Sequence, residues 1–280
     1  MTGTVLLTGA TGFVGRQVLR ALGERGVRVR AVVREGRQDQ LVTRETVESI
    51  VTTPDLFAEN ASWWENVCNG VDVVIHVAWY AEPGKYLQSP KNLDCLAGTL
   101  QLAKGAANAG TRRFVGVGTC FEYDLSGELQ SVNTPLKPLT PYAGTKAAAF
   151  IALSQWLPQV DIEFAWCRLF YLYGEGEDTR RLVPYLHTKL RAGEPVELTS
   201  GNQVRDFLDV RDAGQMIVET ALGNSQGPHN ICSGIPITVR QIAEKIADEY
   251  GRRDLLRFGM RPDNHTDPYS VVGANSEVSR

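Results

Sequence analysis

The chain has 280 residues, 43% of them hydrophobic and 22% charged, which suits one large globular domain or two unequal ones. Its net charge of -3 comes with no basic stripe, which argues against nucleic acid as the main partner. No apolar run approaches the roughly 20 residues that span a bilayer, and the first predicted strand starts so early that no signal peptide fits before it. We therefore expect a soluble, cytoplasmic protein with no membrane partner.

The first predicted strand begins at residue 4 and runs directly into a glycine-rich turn and a helix. Glycines let the backbone turn tightly, and the N-terminus of the helix directs free N–H groups at an anion such as a pyrophosphate. This strand–turn–helix context is that of a dinucleotide fingerprint, with an ordinary turn as the alternative. The residues predicted here to bind a cofactor are Gly9, Thr11, Gly12, Phe13, Val14 and Gly15.

The second predicted strand, residues 27–33, ends in Arg34. Dinucleotide folds that prefer NAD commonly place an acidic residue here, against the ribose 2′-hydroxyl. Arg34 and Arg37 would instead favour a 2′-phosphate, because guanidinium groups make charge-assisted hydrogen bonds to it. Two solvated loop arginines are the alternative, and Glu35 between them weakens the case. We predict NADP(H), with NAD(H) as the less favoured cofactor.

Strands and helices continue to alternate through residue 119. Further strands are predicted at 48–51, 71–78 and 113–118, with helices at 60–69 and 92–109 between them. This alternation predicts an α/β fold with a doubly wound parallel Rossmann sheet, whose ligands lie at the carboxyl ends of the strands. At those ends, the further predicted cofactor contacts are Asp55, Leu56, Val77 and Ala78. A plain loop turn explains Asp55 nearly as well as contact with adenine.

Tyr142 and Lys146 stand four residues apart in a predicted helix, so they share one face. A nearby ammonium stabilises phenolate and lowers the pKa of a tyrosine, which makes the phenol a usable acid or base. Lys146 can also donate to ribose hydroxyls of the cofactor. Thr119, at a strand end, offers its hydroxyl to a substrate oxygen. We predict Thr119, Tyr142 and Lys146 as catalytic residues, with a solvated helix face as the alternative.

Five singly placed cysteines and four scattered histidines offer no cluster with metal-ligand spacing. Such cysteines are typical of buried residues in a reducing compartment. The sequence therefore predicts no metal.

Taken together, these motifs resemble those of the extended short-chain dehydrogenase/reductases, in the branch of nucleotide-sugar epimerases and dehydratases. The segments that carry the resemblance are 8–15, Thr119, 142–146, 168–174, 201–212, 230–234 and 261–263. The resemblance implies a homodimer with a smaller C-terminal α/β substrate domain. The implied division is a Rossmann domain at 1–167, to which 205–222 return, and a substrate domain at 168–204 and 223–280.

By this resemblance, Tyr142 is the acid or base, Lys146 orients the nicotinamide ribose and Thr119 polarises the reacting sugar oxygen. Arginines hold the diphosphate of a nucleotide-diphosphate sugar, although Arg205 could instead pair with Asp206 or Asp209. The predicted substrate contacts are Trp79, Tyr80, Thr119, Cys120, Tyr171, Arg205 and Arg261.

Departures from the family pattern reduce the number of reactions that this chain is expected to catalyse. The 4,6-dehydratases of this branch carry an Asp-Glu pair after the threonine, where this chain has Cys120 and Phe121. Glu122 follows and, on an extended segment, points to the other side from Phe121. Tyr171 replaces the usual asparagine of the strand-to-substrate-loop motif.

With these departures, the sequence most resembles the C4-ketoreductases of deoxysugar pathways, including the CDP-paratose synthase type. We predict NADPH-dependent reduction of the C4 ketone of a nucleotide-diphospho-4-keto-6-deoxysugar. The alternatives are a nucleotide-sugar 4-epimerase with tightly bound NAD and a catalytically silent dinucleotide-sensing regulator.

Overall fold

Strands make up the centre of the fold and one side lobe. The computed structural model of the chain describes residues 3–264 and 268–274. Its strands are β1 (Thr4–Thr8), β2 (Val29–Arg34), β3 (Val47–Thr53), β4 (Val71–His76), β5 (Arg113–Thr119), β6 (Glu163–Leu169), β7 (Tyr171–Tyr173), β8 (Val196–Glu197), β9 (Val204–Asp209), β10 (Gly227–Ile231), β11 (Pro236–Thr238), β12 (Leu256–Arg257) and β13 (Ser270–Val271).

Seven of these strands form the main sheet, in the order β3-β2-β1-β4-β5-β6-β10, with every neighbouring pair parallel. The chain leaves β1 toward β2 on one side and returns to β4 on the other, which places a topological switch point beside β1. The predicted doubly wound parallel sheet is therefore confirmed.

Helices cover both faces of this sheet. They are α1 (Phe13–Glu24), α2 (Ala61–Cys68), α3 (Lys91–Asn108), α4 (Pro141–Trp156), α5 (Leu182–Ala192), α6 (Val210–Leu222) and α7 (Val239–Glu249). On one face, Val18 and Leu22 of α1 pack with Ile217 of α6. On the other, Trp64 of α2, Leu102 of α3 and Leu153 of α4 form a second buried layer. Because both faces are covered, all five residues of β1 are buried.

A smaller lobe has its own sheet and core. Strand β9 pairs with β7, β11 and β13, while β8 pairs with β12. Apolar side chains of α5 and α7, including Leu186 and Ile246, pack with Val196 in a core separate from the two layers of the main sheet.

The division of the chain between the two lobes differs from the predicted ranges in two places. Strand β9 belongs to the small sheet, although the predicted range 205–222 assigned most of it to the Rossmann domain. Strand β10 lies inside the predicted substrate range but pairs in parallel with β6 in the main sheet, with Gly227 opposite Ala165 and Ile231 opposite Leu169. Residues 265–267 and 275–280 of that range lie outside the described residues. The functional roles of the two lobes stay a prediction.

Candidate active site

A cleft of about 960 Å³ runs along the carboxyl ends of the main-sheet strands and is closed on its far side by the small lobe. Every predicted cofactor residue lines it: Gly9, Thr11, Gly12, Phe13, Val14, Gly15, Arg34, Arg37, Asp55, Leu56, Val77, Ala78, Tyr142 and Lys146. Of the predicted substrate contacts, those that line it are Trp79, Thr119, Cys120, Tyr171 and Arg205.

Two predicted substrate contacts do not line this cleft. The Tyr80 hydroxyl donates instead to Glu82 Oε2, 3.0 Å away. The exposed Arg261 guanidinium lies 4.8 Å from the ring centroid of Tyr185 and donates to its hydroxyl at 3.0 Å. Both side chains are held by neighbours outside the cleft, so the structure does not support these two predictions.

The glycine turn has the close backbone packing that a dinucleotide site needs. Gly9 has a positive φ of 76°, and Gly12 N–H donates to its carbonyl at 2.9 Å. A Cβ on Gly15 would lie 2.0 Å from the Gly9 carbonyl oxygen, so only glycine allows α1 to start this close to β1. Since α1 begins at Phe13, its free N–H groups face the cleft. The turn fits a pyrophosphate.

A buried hydrogen-bond chain supports this turn from below. Ala78 N–H donates to Thr8 Oγ1 at 3.3 Å, and Thr8 Oγ1 lies 2.8 Å from His76 Nδ1. On the other side of the ring, His76 Nε2 lies 2.9 Å from Thr99 Oγ1, which itself donates to the Cys95 carbonyl. That direction assigns the proton to Nε2. Burial lowers the pKa of His76 to about 3, so the ring stays neutral and serves the fold.

Arg34 and Arg37 are exposed on the rim of the cleft. Among the described residues, no acidic side chain lies within ion-pair distance of either guanidinium. Glu35 does not line the cleft. Both charges are therefore available to a ligand. Gln40, which lines the same rim, carries no motif that would have revealed it in the sequence.

Tyr142 lies in the first turn of α4, beside Thr119 at the end of β5. The Thr140 side chain caps this helix by accepting from Ala143 N–H at 3.2 Å. Burial raises the pKa of Tyr142 well above its ordinary value; the nearby Tyr86 raises it further, and a hydrogen bond with Thr119 partly opposes this. The phenol is therefore protonated at neutral pH, which suits a proton donor.

The contacts of Lys146 differ from the sequence prediction. Its ammonium donates to the Val117 carbonyl and lies 3.9 Å from the ring centroid of Trp79, so it is not what sets the pKa of Tyr142. Burial lowers the pKa of Lys146 to about 7. The expectation that this ammonium lowers the tyrosine pKa is wrong in this structure, because desolvation outweighs the charge effects on the phenol.

Glu122 is a buried structural carboxylate and does not line the cleft. Cys120–Glu122 form a short 3₁₀ turn, not the extended segment expected, and this turn directs Glu122 into the core. There it accepts from Thr119 N–H at 2.8 Å, Trp166 Nε1 at 3.0 Å and Arg168 Nε at 2.7 Å. Beside it, burial raises the pKa of the Cys120 thiol to about 12.

Arg205 is buried and lines the cleft from β9 of the small lobe. Its Nη1 donates to the carbonyls of Val204 and Tyr269, and its guanidinium lies 5.2 Å from the ring centroid of Tyr171. The alternative partners are engaged elsewhere. Asp206 accepts from the N–H groups of residues 233 and 234, and Asp209 pairs with an arginine of α6. The pairing considered from the sequence is therefore absent among the described ion pairs.

A loop that sequence reasoning missed reaches from the small lobe to α1. We call residues 174–178 the strap. Glu175 Oε2 pairs with Arg20 Nη1 at 3.0 Å, and a Cβ on Gly176 would lie 2.8 Å from an Arg16 nitrogen. Burial raises the pKa of Glu177 to about 7. Alternating glycine and acidic residues are the only sequence signal here, and they indicate an ordinary loop equally well.

The fold and this site together define an extended short-chain dehydrogenase/reductase. A family model described as "NAD dependent epimerase/dehydratase family" matches residues 5–232. The chain belongs to this family, as the resemblance of its motifs predicts.

Similar proteins span nearly the whole chain. dTDP-6-deoxy-L-talose 4-dehydrogenase (NAD(+)) of Aggregatibacter actinomycetemcomitans is 24% identical, over 96% of this chain and 99% of that protein. CDP-abequose synthase of Salmonella muenchen is 23% identical, over 92% and 86%. The solved structure of MoeE5 in complex with UDP-glucose and NAD is 27% identical, with a TM-score of 0.79 and coverage of 98% and 90%.

Residues 3–264 and 268–274 contain no group of three or more histidine, cysteine, aspartate or glutamate side chains arranged to hold a metal ion. Nor does this part of the chain contain a helix with the length and apolarity needed to cross a membrane.

Proposed function

We propose that the protein reduces the C4 ketone of a nucleotide-diphospho-4-keto-6-deoxysugar with NADPH. The observation that carries the proposal is the composition of one cleft. Thr119, Tyr142 and Lys146 line it together with the glycine turn, whereas the carboxylate that follows Thr119 is buried elsewhere. The names of two relatives, a 4-dehydrogenase of a dTDP-6-deoxysugar and a CDP-abequose synthase, support the substrate class.

In this proposal the protein's own groups position the ketone and supply one proton. Arg205 binds the diphosphate, and the Thr119 hydroxyl donates to the C4 oxygen. When bound, the reduced nicotinamide supplies the hydride that reaches C4. The Tyr142 phenol gives its proton to the oxygen as negative charge develops there, and its raised pKa keeps that proton available. Lys146 orients the ribose beside it. Positioning and a placed acid account for the rate.

Two other reactions of the family are less consistent with this site. Elimination of water needs an acid and a base beside the threonine, but Glu122 is held by Arg168 in a buried ion pair. The adjacent Cys120 thiol does not ionise near neutral pH, because burial raises its pKa to about 12. Epimerisation at C4 needs a tightly bound NAD that stays in place between two hydride transfers, whereas Arg34 and Arg37 on the rim favour the 2′-phosphate of NADP.

An assay with several substrates tests the proposal. CDP-, dTDP-, GDP- and UDP-4-keto-6-deoxysugars are offered in turn with NADPH, whose consumption is followed by absorbance. We expect NADPH consumption with at least one of them and a product hydroxyl at C4. Tightly held NAD in the purified protein, without NADPH consumption, would indicate the epimerase. Binding of NADPH without turnover of any sugar would indicate a sensor.

The choice of NADPH over NADH rests on Arg34 and Arg37, and it differs from the NAD named for the talose dehydrogenase and present in the MoeE5 complex. Replacing Arg34 by aspartate removes a charge-assisted hydrogen bond to the 2′-phosphate and adds an acceptor for a hydroxyl. We expect the ratio of kcat/KM for NADPH over NADH to fall by about tenfold or more.

The matched control for this substitution is Arg44→Asp. Arg44 is an exposed arginine outside the cleft, and its Nη1 lies 3.9 Å from Asp39 Oδ1 in a surface ion pair. It should leave the cofactor ratio within about twofold. An unchanged ratio in Arg34→Asp would refute the assignment of the 2′-phosphate to this rim.

The proposal includes a cytoplasmic homodimer. Leu93 of α3 is 63% exposed and Ile151 of α4 is 54% exposed, and an apolar face on these two helices supports pairing of two copies there.

A further inference from the structure

Asn92, in the first turn of α3, is a completely buried amide that bonds to the loop preceding its helix. Its Oδ1 accepts from Trp79 Nε1 at 2.9 Å. Its Nδ2 donates to the carbonyls of Tyr86 and Ser89, at 2.6 and 2.9 Å. One amide thus fixes both ends of the segment from Trp79 to Tyr86.

Each end of that segment contacts a different proposed catalytic side chain. At one end, the Trp79 ring centroid lies 3.9 Å from Lys146 Nζ. At the other, the Tyr86 ring meets the Tyr142 ring edge-on, with centroids 4.8 Å apart and planes at 89°. The two rings, seven residues apart in the chain, therefore contact two side chains that lie one turn apart on α4.

The orientation of the indole matters because Lys146 is buried. Its ammonium donates to the Val117 carbonyl and lies against the face of Trp79, with the Trp166 ring farther away at 6.0 Å. A ring face attracts a cation only when it is turned toward it. The hydrogen bond from the indole N–H to Asn92 Oδ1 fixes the orientation of the Trp79 ring.

We propose that Asn92 is a positioning residue, which holds the Trp79 ring against Lys146 and the Tyr86 ring against Tyr142. The inference rests on the proposed roles of Lys146 and Tyr142. The new element is that the loop before α3, and not only α4 itself, sets the geometry of Tyr142 and Lys146. Substitution of Asn92 should therefore affect the chemical step more than substrate binding.

The test compares Asn92→Leu with a matched substitution, Asn230→Leu. Asn230 is also buried and also makes three side-chain hydrogen bonds, to Tyr123, Gln130 and Ala274, but it does not line the cleft. We expect Asn92→Leu to lower kcat by about tenfold or more, since small displacements of reacting groups have large effects. The KM for the sugar should change by a smaller factor than kcat, although Trp79 also lines the cleft. Asn230→Leu should lower the melting temperature by about as much as Asn92→Leu does. Its kcat should stay within about twofold of that of the unsubstituted protein.

A second variant covers the case in which Asn92→Leu fails to fold. Trp79→Phe keeps a ring beside Lys146 but removes the N–H that Asn92 accepts, so it should also lower kcat. The two substitutions combined should lower kcat by less than the product of their separate effects, because each removes the same hydrogen bond. Independent, multiplicative effects would overturn the proposal, as would equal losses of kcat in Asn92→Leu and Asn230→Leu.

An NMR measurement needs no substrate and so separates this inference from the proposed function. The indole N–H resonance that disappears in Trp79→Phe should shift in Asn92→Leu and stay in place in Asn230→Leu. An unshifted resonance contradicts the inference, whatever the activity. A fully active Tyr142→Phe variant contradicts the proposed function instead.

Discussion

Replacing Tyr142 by phenylalanine is expected to lower kcat by about 10²- to 10⁴-fold, the range over which a positioned acid contributes to rate. The substitution keeps the ring that packs edge-on against Tyr86 and removes only the hydroxyl beside Thr119. Binding of NADPH, measured by fluorescence titration, should change by no more than about twofold. Retained turnover would exclude Tyr142 as the proton donor.

The control for this prediction is Tyr250→Phe. The Tyr250 hydroxyl lies 3.0 Å from His187 Nδ1 in the small lobe and does not line the cleft. Loss of a hydroxyl there should leave kcat within about twofold, because one neutral hydrogen bond contributes only modestly to stability. A comparable loss of kcat in both variants would show a general effect on folding.

The second large effect is on stability. Replacing Arg168 by methionine should lower the free energy of unfolding by about 3–5 kcal/mol, because it leaves the Glu122 carboxylate buried without its counter-charge. Hydrogen bonds from Thr119 N–H and Trp166 Nε1 would remain, but they carry no full positive charge. The measurement is the midpoint of urea unfolding, interpreted with an unchanged m-value.

The same substitution at Arg253 is the control. Arg253 pairs with Asp248 on the surface, where both side chains are half exposed or more. Exposed pairs contribute about 0–1 kcal/mol, so Arg253→Met should hardly change the midpoint. If both variants shift it equally, the buried pair is no more important than a surface pair, and the prediction for Arg168 is wrong.

Patterns within a single segment of the sequence were sufficient to predict those parts of the site that one segment forms alone. The glycine turn follows from spacing, because close backbone packing permits no side chain at Gly15. The ends of the strands follow from apolar runs, and parallel strands bring residues such as Arg34 and Ala78 to one edge of the sheet. This is why all the predicted cofactor residues line the cleft.

Contacts between distant segments were not predictable in this way. The direction of Glu122 depends on Arg168, which follows 46 residues later, and the environment of Lys146 depends on Trp79. Likewise, Arg261 contacts Tyr185 of α5. A sequence pattern indicates which face of a helix or strand a residue occupies, but not which partner reaches it from another element.

The strap suggests how quickly a cofactor can be exchanged. It crosses from the small lobe to α1 beside the proposed pyrophosphate site, and its ion pair there, between Arg20 and Glu175, is partly exposed to solvent. If the cofactor leaves only when this ion pair breaks, the pair adds at most about 1 kcal/mol to the barrier for release. That lengthens the residence time of the cofactor by roughly fivefold. Such a weak contact is consistent with a dinucleotide that acts as a co-substrate and departs after each turnover, as the proposed one-way reduction requires.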